Sequence, residues 1–236
     1  RSSDLLSDFQ DALKNREITF YLQPQCRAST GAIVGAESLA RWISPDGNVI
    51  LPGAFVPVLE KYGFITELDM YIWERVCSWL HNQKKQGREP LPISVNISQI
   101  DFFTIDVPRY LASLTEKYEI PKNILKLEIT ESACGEDSEK VREAMDELRK
   151  MGFTLFMDDF GSGYSSLNML RSTKVDVIKI DAQFLNINKE EEKKGISILE
   201  TIIYMTKNLA TPVIAEGVES EAQVDFLRSA GFGYGI

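Results

Sequence analysis

Short apolar, β-branched runs recur along the chain at 18–22, 33–40, 93–96, 125–129, 154–158, 175–180, 212–215 and 232–236. Runs of this kind, bounded by turn-forming residues, predict strands. Most gaps carry apolar residues at helical spacing, which predicts helices over 54–61, 67–80, 107–117, 138–151, 196–209 and 221–230. Repeated strand–helix alternation points to an α/β fold, a (β/α)8 TIM-like barrel. The competing doubly wound sheet usually carries a glycine-rich nucleotide fingerprint after its first strand, and none stands here.

Polar residues interrupt this pattern where strands end. The run Leu155-Phe156-Met157 stops abruptly at Asp158-Asp159, followed by Phe160-Gly161-Ser162-Gly163. Neighbouring strand residues point to opposite faces, so both acids reach one site only where the backbone turns, which Gly161 and Gly163 permit. An isolated Asp-Asp is usually a solvated turn. Here Asn96, Glu128, Lys179 and Glu216 also fall at the ends of separate runs, and Glu37 lies within the second. In a barrel, that rim is where active sites are built.

With 236 residues, 44% of them hydrophobic, the chain has material for one barrel or two small domains. No Pro/Gly/Ser-rich linker, low-complexity tract or repeat divides it, so a single domain over 1–236 is expected. The charged run 189–194 reads as a solvated connection or a helix start. No apolar stretch is long enough to span a bilayer and no signal-peptide pattern opens the chain, which leaves room for a membrane anchor elsewhere in a longer parent. Cys26, Cys77 and Cys134 lack C-x-x-C spacing, which argues against a disulfide framework or thiolate zinc site and suits a reducing cytoplasm. The one histidine, His81, makes a Ser-His-Asp triad improbable and leaves oxygen donors for any metal. A net charge of -9 argues against binding DNA or RNA through their backbones, but not against a small anion held locally.

Five carboxylates in one mouth repel, by about 4 kcal/mol for a pair about 4 Å apart at an effective dielectric of 20. They either share protons or bind hard divalent cations, and with one neutral amide beside them the set suits Mg²⁺ or Mn²⁺. A carboxylate such as Asp158 has the chemistry to bridge two ions, the arrangement used for in-line attack on phosphorus. Lys179 would then orient the attacking water or offset phosphate charge; its other reading is a structural salt bridge.

Ordered segments resemble the EAL-type cyclic-di-GMP phosphodiesterases from about Phe9 onward: Tyr21-Leu22-Gln23-Pro24, Gly35-Ala36-Glu37-Ser38-Leu39-Ala40-Arg41-Trp42, Phe55-Val56-Pro57, Ser94-Val95-Asn96-Ile97-Ser98, Leu127-Glu128-Ile129-Thr130-Glu131-Ser132, Met157-Asp158-Asp159-Phe160-Gly161, Ile178-Lys179-Ile180-Asp181 and Ala215-Glu216-Gly217-Val218-Glu219. The resemblance implies hydrolysis of cyclic di-GMP to linear pGpG with two Mg²⁺ or Mn²⁺ ions, in bacterial signalling that controls biofilm and motility. It places Glu37, Asn96, Glu128 and Asp158 on one ion, with Asp158 bridging to a second that Asp159 and Glu216 help to hold. Lys179 would position or deprotonate the water, with Glu216 as the other candidate base. Gln23, Leu39, Arg41, Pro57 and Asp181 would line the nucleotide site, Arg41 on a phosphate. Glu219 would support the ligands, and Glu131 would anchor the loop from Gly161 to Leu167. A homodimer is the expected assembly, with a flanking sensory or diguanylate-cyclase-like domain.

Two departures stand out. The signature Glu-Ala-Leu is Glu37-Ser38-Leu39 here, with Ser38 expected to point away from Glu37. Ile236 falls where the family carries a glutamine, so either that residue is replaced or the end of the chain is incomplete; with the final barrel helix absent from the sequence, a fragment of a longer protein is expected. The rival readings are a cyclic-di-GMP receptor of little or no activity, an interaction domain without nucleotide, and a different metal-dependent barrel enzyme.

Overall fold

Strand β1 (Ile18–Arg27) turns straight back into β2 (Ile33–Ile43) and pairs with it antiparallel, Tyr21 opposite Leu39 and Gln23 opposite Glu37. The barrel thus begins with a hairpin, because the connection 28–32 is shorter than the crossover of about a dozen residues that a parallel partner needs. The two-residue β3 (Val49–Ile50) pairs with the end of β2. Five strands follow in parallel, each hydrogen-bonded to the one before: β4 (Ile93–Ile97) on β2, then β5 (Leu125–Thr130), β6 (Thr154–Asp158), β7 (Val177–Asp181) and β8 (Val213–Glu216). Strand β9 (Tyr234–Gly235) lies parallel to β8 and antiparallel to β1, which closes the ring. The result is an α/β TIM-like barrel in which β1, and the short β3 beside β2, run against the parallel strands. The computed structural model describes residues 2–134, 139–161, 170, 173–181, 189–232 and 234–235.

The helices are α1 (Ser2–Asn15), α2 (Pro52–Tyr62), α3 (Ile65–Lys85), the short α4 (Asp101–Thr104), α5 (Val107–Lys117), α6 (Glu139–Lys150), α7 (Lys189–Asn208) and α8 (Glu221–Ala230), with a 3₁₀ turn at Glu131–Cys134. Residues 189–194 open α7, the helix-start reading of that charged run. Helix α1 was not among the expected elements, although Leu5, Phe9, Ala12 and Leu13 recur on one helical face. Phe9 and Ala12 are fully buried. Phe9 meets Trp42 edge-on at 6.2 Å, and Trp42 meets Phe55 of α2 at 5.8 Å, so one β2 side chain ties both helices to the sheet. Such pairs add about 0.5–1.5 kcal/mol each beyond the area they bury.

Alternation along the strands decides what enters the barrel. On β1, Phe20 packs edge-on against Trp79 of α3, which assigns Phe20 and Leu22 to the helix side and Tyr21, Gln23 and Gln25 to the inside. Strand β7 starts later than expected because Asp176 is engaged elsewhere. Its carboxylate accepts from Leu155 N at 2.9 Å and from Arg149 Nη2 at 3.0 Å. No helix among the described residues is long and apolar enough to cross a membrane.

Gly35 lies where the β1–β2 hairpin passes closest to the start of β4. A Cβ there would stand 3.0 Å from the Pro92 carbonyl oxygen and 3.1 Å from Gln25 Oε1. Gly35→Ala is expected to lower unfolding free energy by about 1–3 kcal/mol, the usual cost of overpacking. Urea denaturation measures it, and an unchanged midpoint would contradict the packing described.

Candidate functional site

Lys179, central in β7 and completely buried, reaches carboxylates from four other strands. Its Nζ lies 3.0 Å from Glu37 Oε2 and 3.5 Å from Asp158 Oδ1, and it also contacts Glu128 and Glu216. Asn96 Nδ2 donates to Glu37 Oε1 at 3.3 Å, and Asn96 pairs in register with Glu128. Four carboxylates around one ammonium leave three negative charges uncompensated when all are ionised.

That imbalance shows in the protonation of the cluster. Burial pushes Glu128 up to about 8, Lys179 pulls it back, and Glu37 and Asp158 push it further up. Burial likewise pushes Glu216 up to about 7, again against the pull of Lys179. Burial opposes the charge on Lys179 itself, but its four acidic neighbours prevail and hold the ammonium above the ordinary lysine value.

The donor set fits hard divalent cations. It is all oxygen, carries excess negative charge, and includes Glu128 Oε1, a buried atom without a hydrogen-bond partner. Among the described residues no three acidic side chains are already gathered around a common ion position. They are gathered on Lys179 instead, so a cation would compete with that ammonium for the same oxygens.

The Asp158-Asp159 corner turns at the expected Gly161 and also at Asp159, while Gly163 lies outside the described residues. The backbone turns at Asp159 itself, which adopts a left-handed φ of 55°, and again at Gly161 with φ 94°. Aspartate tolerates that conformation better than most side chains. Asp159 N donates to Asp158 Oδ1 at 2.8 Å, Phe160 N to the Lys179 carbonyl at 3.2 Å, and Gly161 N to Glu131 Oε2 at 2.8 Å. Buried Glu131 thus secures the start of the loop after Asp159. Residues 162–167 of that loop, and Ile236, lie outside the described residues. Asp159 is exposed, and partial burial followed by the charge of Asp158 raises its pKa.

The remaining expected residues lie on β1, β2, α2 and β7 and after β8. Gln23 is exposed opposite Glu37. Leu39 lines a cavity of about 500 Å³ together with Val56, Asn96 and Ser98. Arg41 Nη1 donates to the Ala40 carbonyl at 2.8 Å, Pro57 is exposed on α2, and Asp181 pairs in register with Glu216. Glu219 is not among the partners of Lys179; it is exposed, with its N–H donated to Gln223 Oε1 at 2.7 Å. Ser38 is buried, and its hydroxyl donates to the Ser94 carbonyl at 2.7 Å, which adds a bond between β2 and β4.

Sequence reasoning missed the support beneath Asn96. Trp73 Nε1 donates to the Asn96 carbonyl at 2.9 Å. One turn earlier on α3, Asp69 Oδ2 accepts from Ser98 Oγ at 2.6 Å. Asp101 accepts from Ser98 N at 2.8 Å and from Thr66 Oγ1 at 2.7 Å. Burial raises the pKa of both acids, and the charge of Asp101 raises Asp69 further. The available signal was Asp69, an acid on the apolar face of an amphipathic helix.

A sequence model described as the EAL domain matches residues 6–235. The chain belongs to the EAL domain family. It is 31% identical over 227 residues to the bifunctional diguanylate cyclase/cyclic di-GMP phosphodiesterase MucR of Pseudomonas aeruginosa, which covers 96% of this chain and 33% of that protein. It is 32% identical over 230 residues to the probable cyclic di-GMP phosphodiesterase PdeB of Escherichia coli, covering 96% of this chain and 42% of that one. The chain therefore spans well under half the length of these relatives. Among solved structures, a complex of the PaMucR phosphodiesterase with c-di-GMP superposes with a TM-score of 0.90 at 31% identity, over 98% of this chain and 94% of that one.

The protonation pattern gives this EAL domain a pH signature when divalent cations are removed. Glu128 and Glu216 bind protons more tightly folded than unfolded. The stability they contribute is therefore complete below the ordinary value of 4.5 and is lost as pH rises through about 7 and about 8. Asp69 and Asp101 act in the same sense. Lys179 adds no slope there, because its raised value lies above the ordinary 10.5. Thermal midpoints in chelator are expected to fall from mildly acidic pH towards pH 8; a level or rising midpoint would contradict the burial of these acids.

Proposed function

We propose that this EAL domain hydrolyses one phosphodiester bond of cyclic di-GMP, giving linear pGpG, with two Mg²⁺ or Mn²⁺ ions at the Lys179 cluster. The observation that carries the reading is one ammonium enclosed by Glu37, Glu128, Asp158 and Glu216 from four strands of the barrel. The chemistry named for relatives about 30% identical supports it.

Glu37, Asn96, Glu128 and Asp158 would hold one ion, and Asp158, Asp159 and Glu216 the other. Bound there, the ions would supply an acidified water and neutralise charge on the leaving oxygen. Lys179 is fixed among the ligands and would orient that water by hydrogen bonding. Glu216, in contact with Lys179, is the other group placed to accept a proton from that water. Arg41 and Gln23, on the inner rim of the hairpin, would bind substrate.

Glu37→Gln and Asp158→Asn keep side-chain size and remove charge. Each is expected to lower kcat/KM for cyclic di-GMP by more than about a hundredfold, beyond the usual effect of outer-sphere changes, while the fold persists by circular dichroism. Lys179→Met is expected to reduce kcat more than metal affinity. Near-normal hydrolysis by Glu37→Gln or Asp158→Asn would remove these residues from the site. Tight binding of cyclic di-GMP by the unmodified protein without turnover would instead identify a receptor.

A further inference from the structure

We propose that Tyr21 is a stacking platform for one guanine of the substrate, an inference that rests on the cyclic-di-GMP reading of the site. Tyr21 shares the inward face of β1 with Gln23, and their cross-strand partners are Leu39 and Glu37. It therefore stands one layer, about 7 Å along the strand, above the Gln23–Glu37 pair. The residue is 48% exposed.

Two neighbours define how the ring could be used. Arg41 places its guanidinium carbon 5.3 Å from the ring centroid, and its Nη1 is held at 2.8 Å by the Ala40 carbonyl. A cation so placed occupies one face of the ring. On the other side of the pairing, Leu39 forms part of the wall of the cavity of about 500 Å³ that also contains Asn96. Tyr21 and Arg41 do not themselves line that cavity but adjoin it through Leu39 and Ala40, so a base lying over the Tyr21 ring would extend from the cavity's edge with the fixed Arg41 charge beside it for a phosphate. Extruded purines are commonly held by such aromatic surfaces, because every base has a π-face. Tyr21 and Arg41 together would thus set the spacing between base and phosphate.

The test is titration calorimetry of cyclic di-GMP with Ca²⁺ replacing Mg²⁺ to suppress turnover, followed by steady-state kinetics with Mg²⁺. Tyr21→Ala is expected to weaken binding about tenfold and Tyr21→Phe by less than about twofold, in the range of one lost stacking contact. The loss should appear in KM with kcat little changed, because stacking serves substrate and transition state alike. Leu22→Ala, on the opposite face of the same strand, should bind as the unmodified protein does. Tyr21→Ala binding unchanged, or Tyr21→Phe losing as much as Tyr21→Ala, would overturn the stacking role while the catalytic reading stands. Failure of the unmodified protein to bind cyclic di-GMP would overturn that reading, and this inference with it.

Discussion

Barrel closure forces carboxylates from four strands onto one ammonium, and the candidate site follows from that crowding. Glu37, Glu128, Asp158 and Glu216 all face Lys179, whose side chain has no access to water. One cation does not neutralise four anions, so burial keeps Glu128 and Glu216 protonated well above the usual glutamate range. A cluster in this state gains from added divalent charge, whereas a balanced ion pair would not. The same crowding explains why Lys179 stays charged despite burial.

Around this centre the scaffold fixes backbone more than side chains. Trp73 on α3 bonds the Asn96 carbonyl, Asp69 on the same helix bonds the Ser98 hydroxyl, and Ser38 bonds β2 to β4 beside Glu37. Glu131 and the Lys179 carbonyl hold the corner that follows Asp158. Each constraint lies one residue shell behind a proposed ligand, where small shifts in position alter how oxygens converge. The serine that breaks the Glu-Ala-Leu signature therefore adds a bond without entering the cluster.

The strand ends and their acids were legible in the sequence because both signals are local: an apolar run that stops, and a charged residue where it stops. That signal is met at Asp158 and Glu216, the last residues of β6 and β8, whereas Glu128 and Lys179 lie inside β5 and β7 and Asn96 is uncharged. The reversal of β1 was less visible, since hydrophobic alternation carries no direction, although the short 28–32 connection held the clue. The turn at Gly161 was legible, but the one at Asp159 was not, because an aspartate adopts the left-handed conformation there and residue type alone does not announce it. The contacts of Trp73, Asp69 and Ser38 depend on which helix packs on which strand, and no local pattern encodes that.

The hairpin also joins the charge cluster to the outer rim, since Glu37, Leu39 and Arg41 follow one another on its inner face with Gln23, Tyr21 and Thr19 opposite. The role proposed for this cluster is that of a divalent-metal site acting on a phosphodiester. The most direct measurement is chromatography of cyclic di-GMP incubated with the purified domain and Mg²⁺ or Mn²⁺, with and without chelator. Linear pGpG is expected with metal and none with chelator. Intact cyclic di-GMP under both conditions, or equal hydrolysis in chelator, would contradict it.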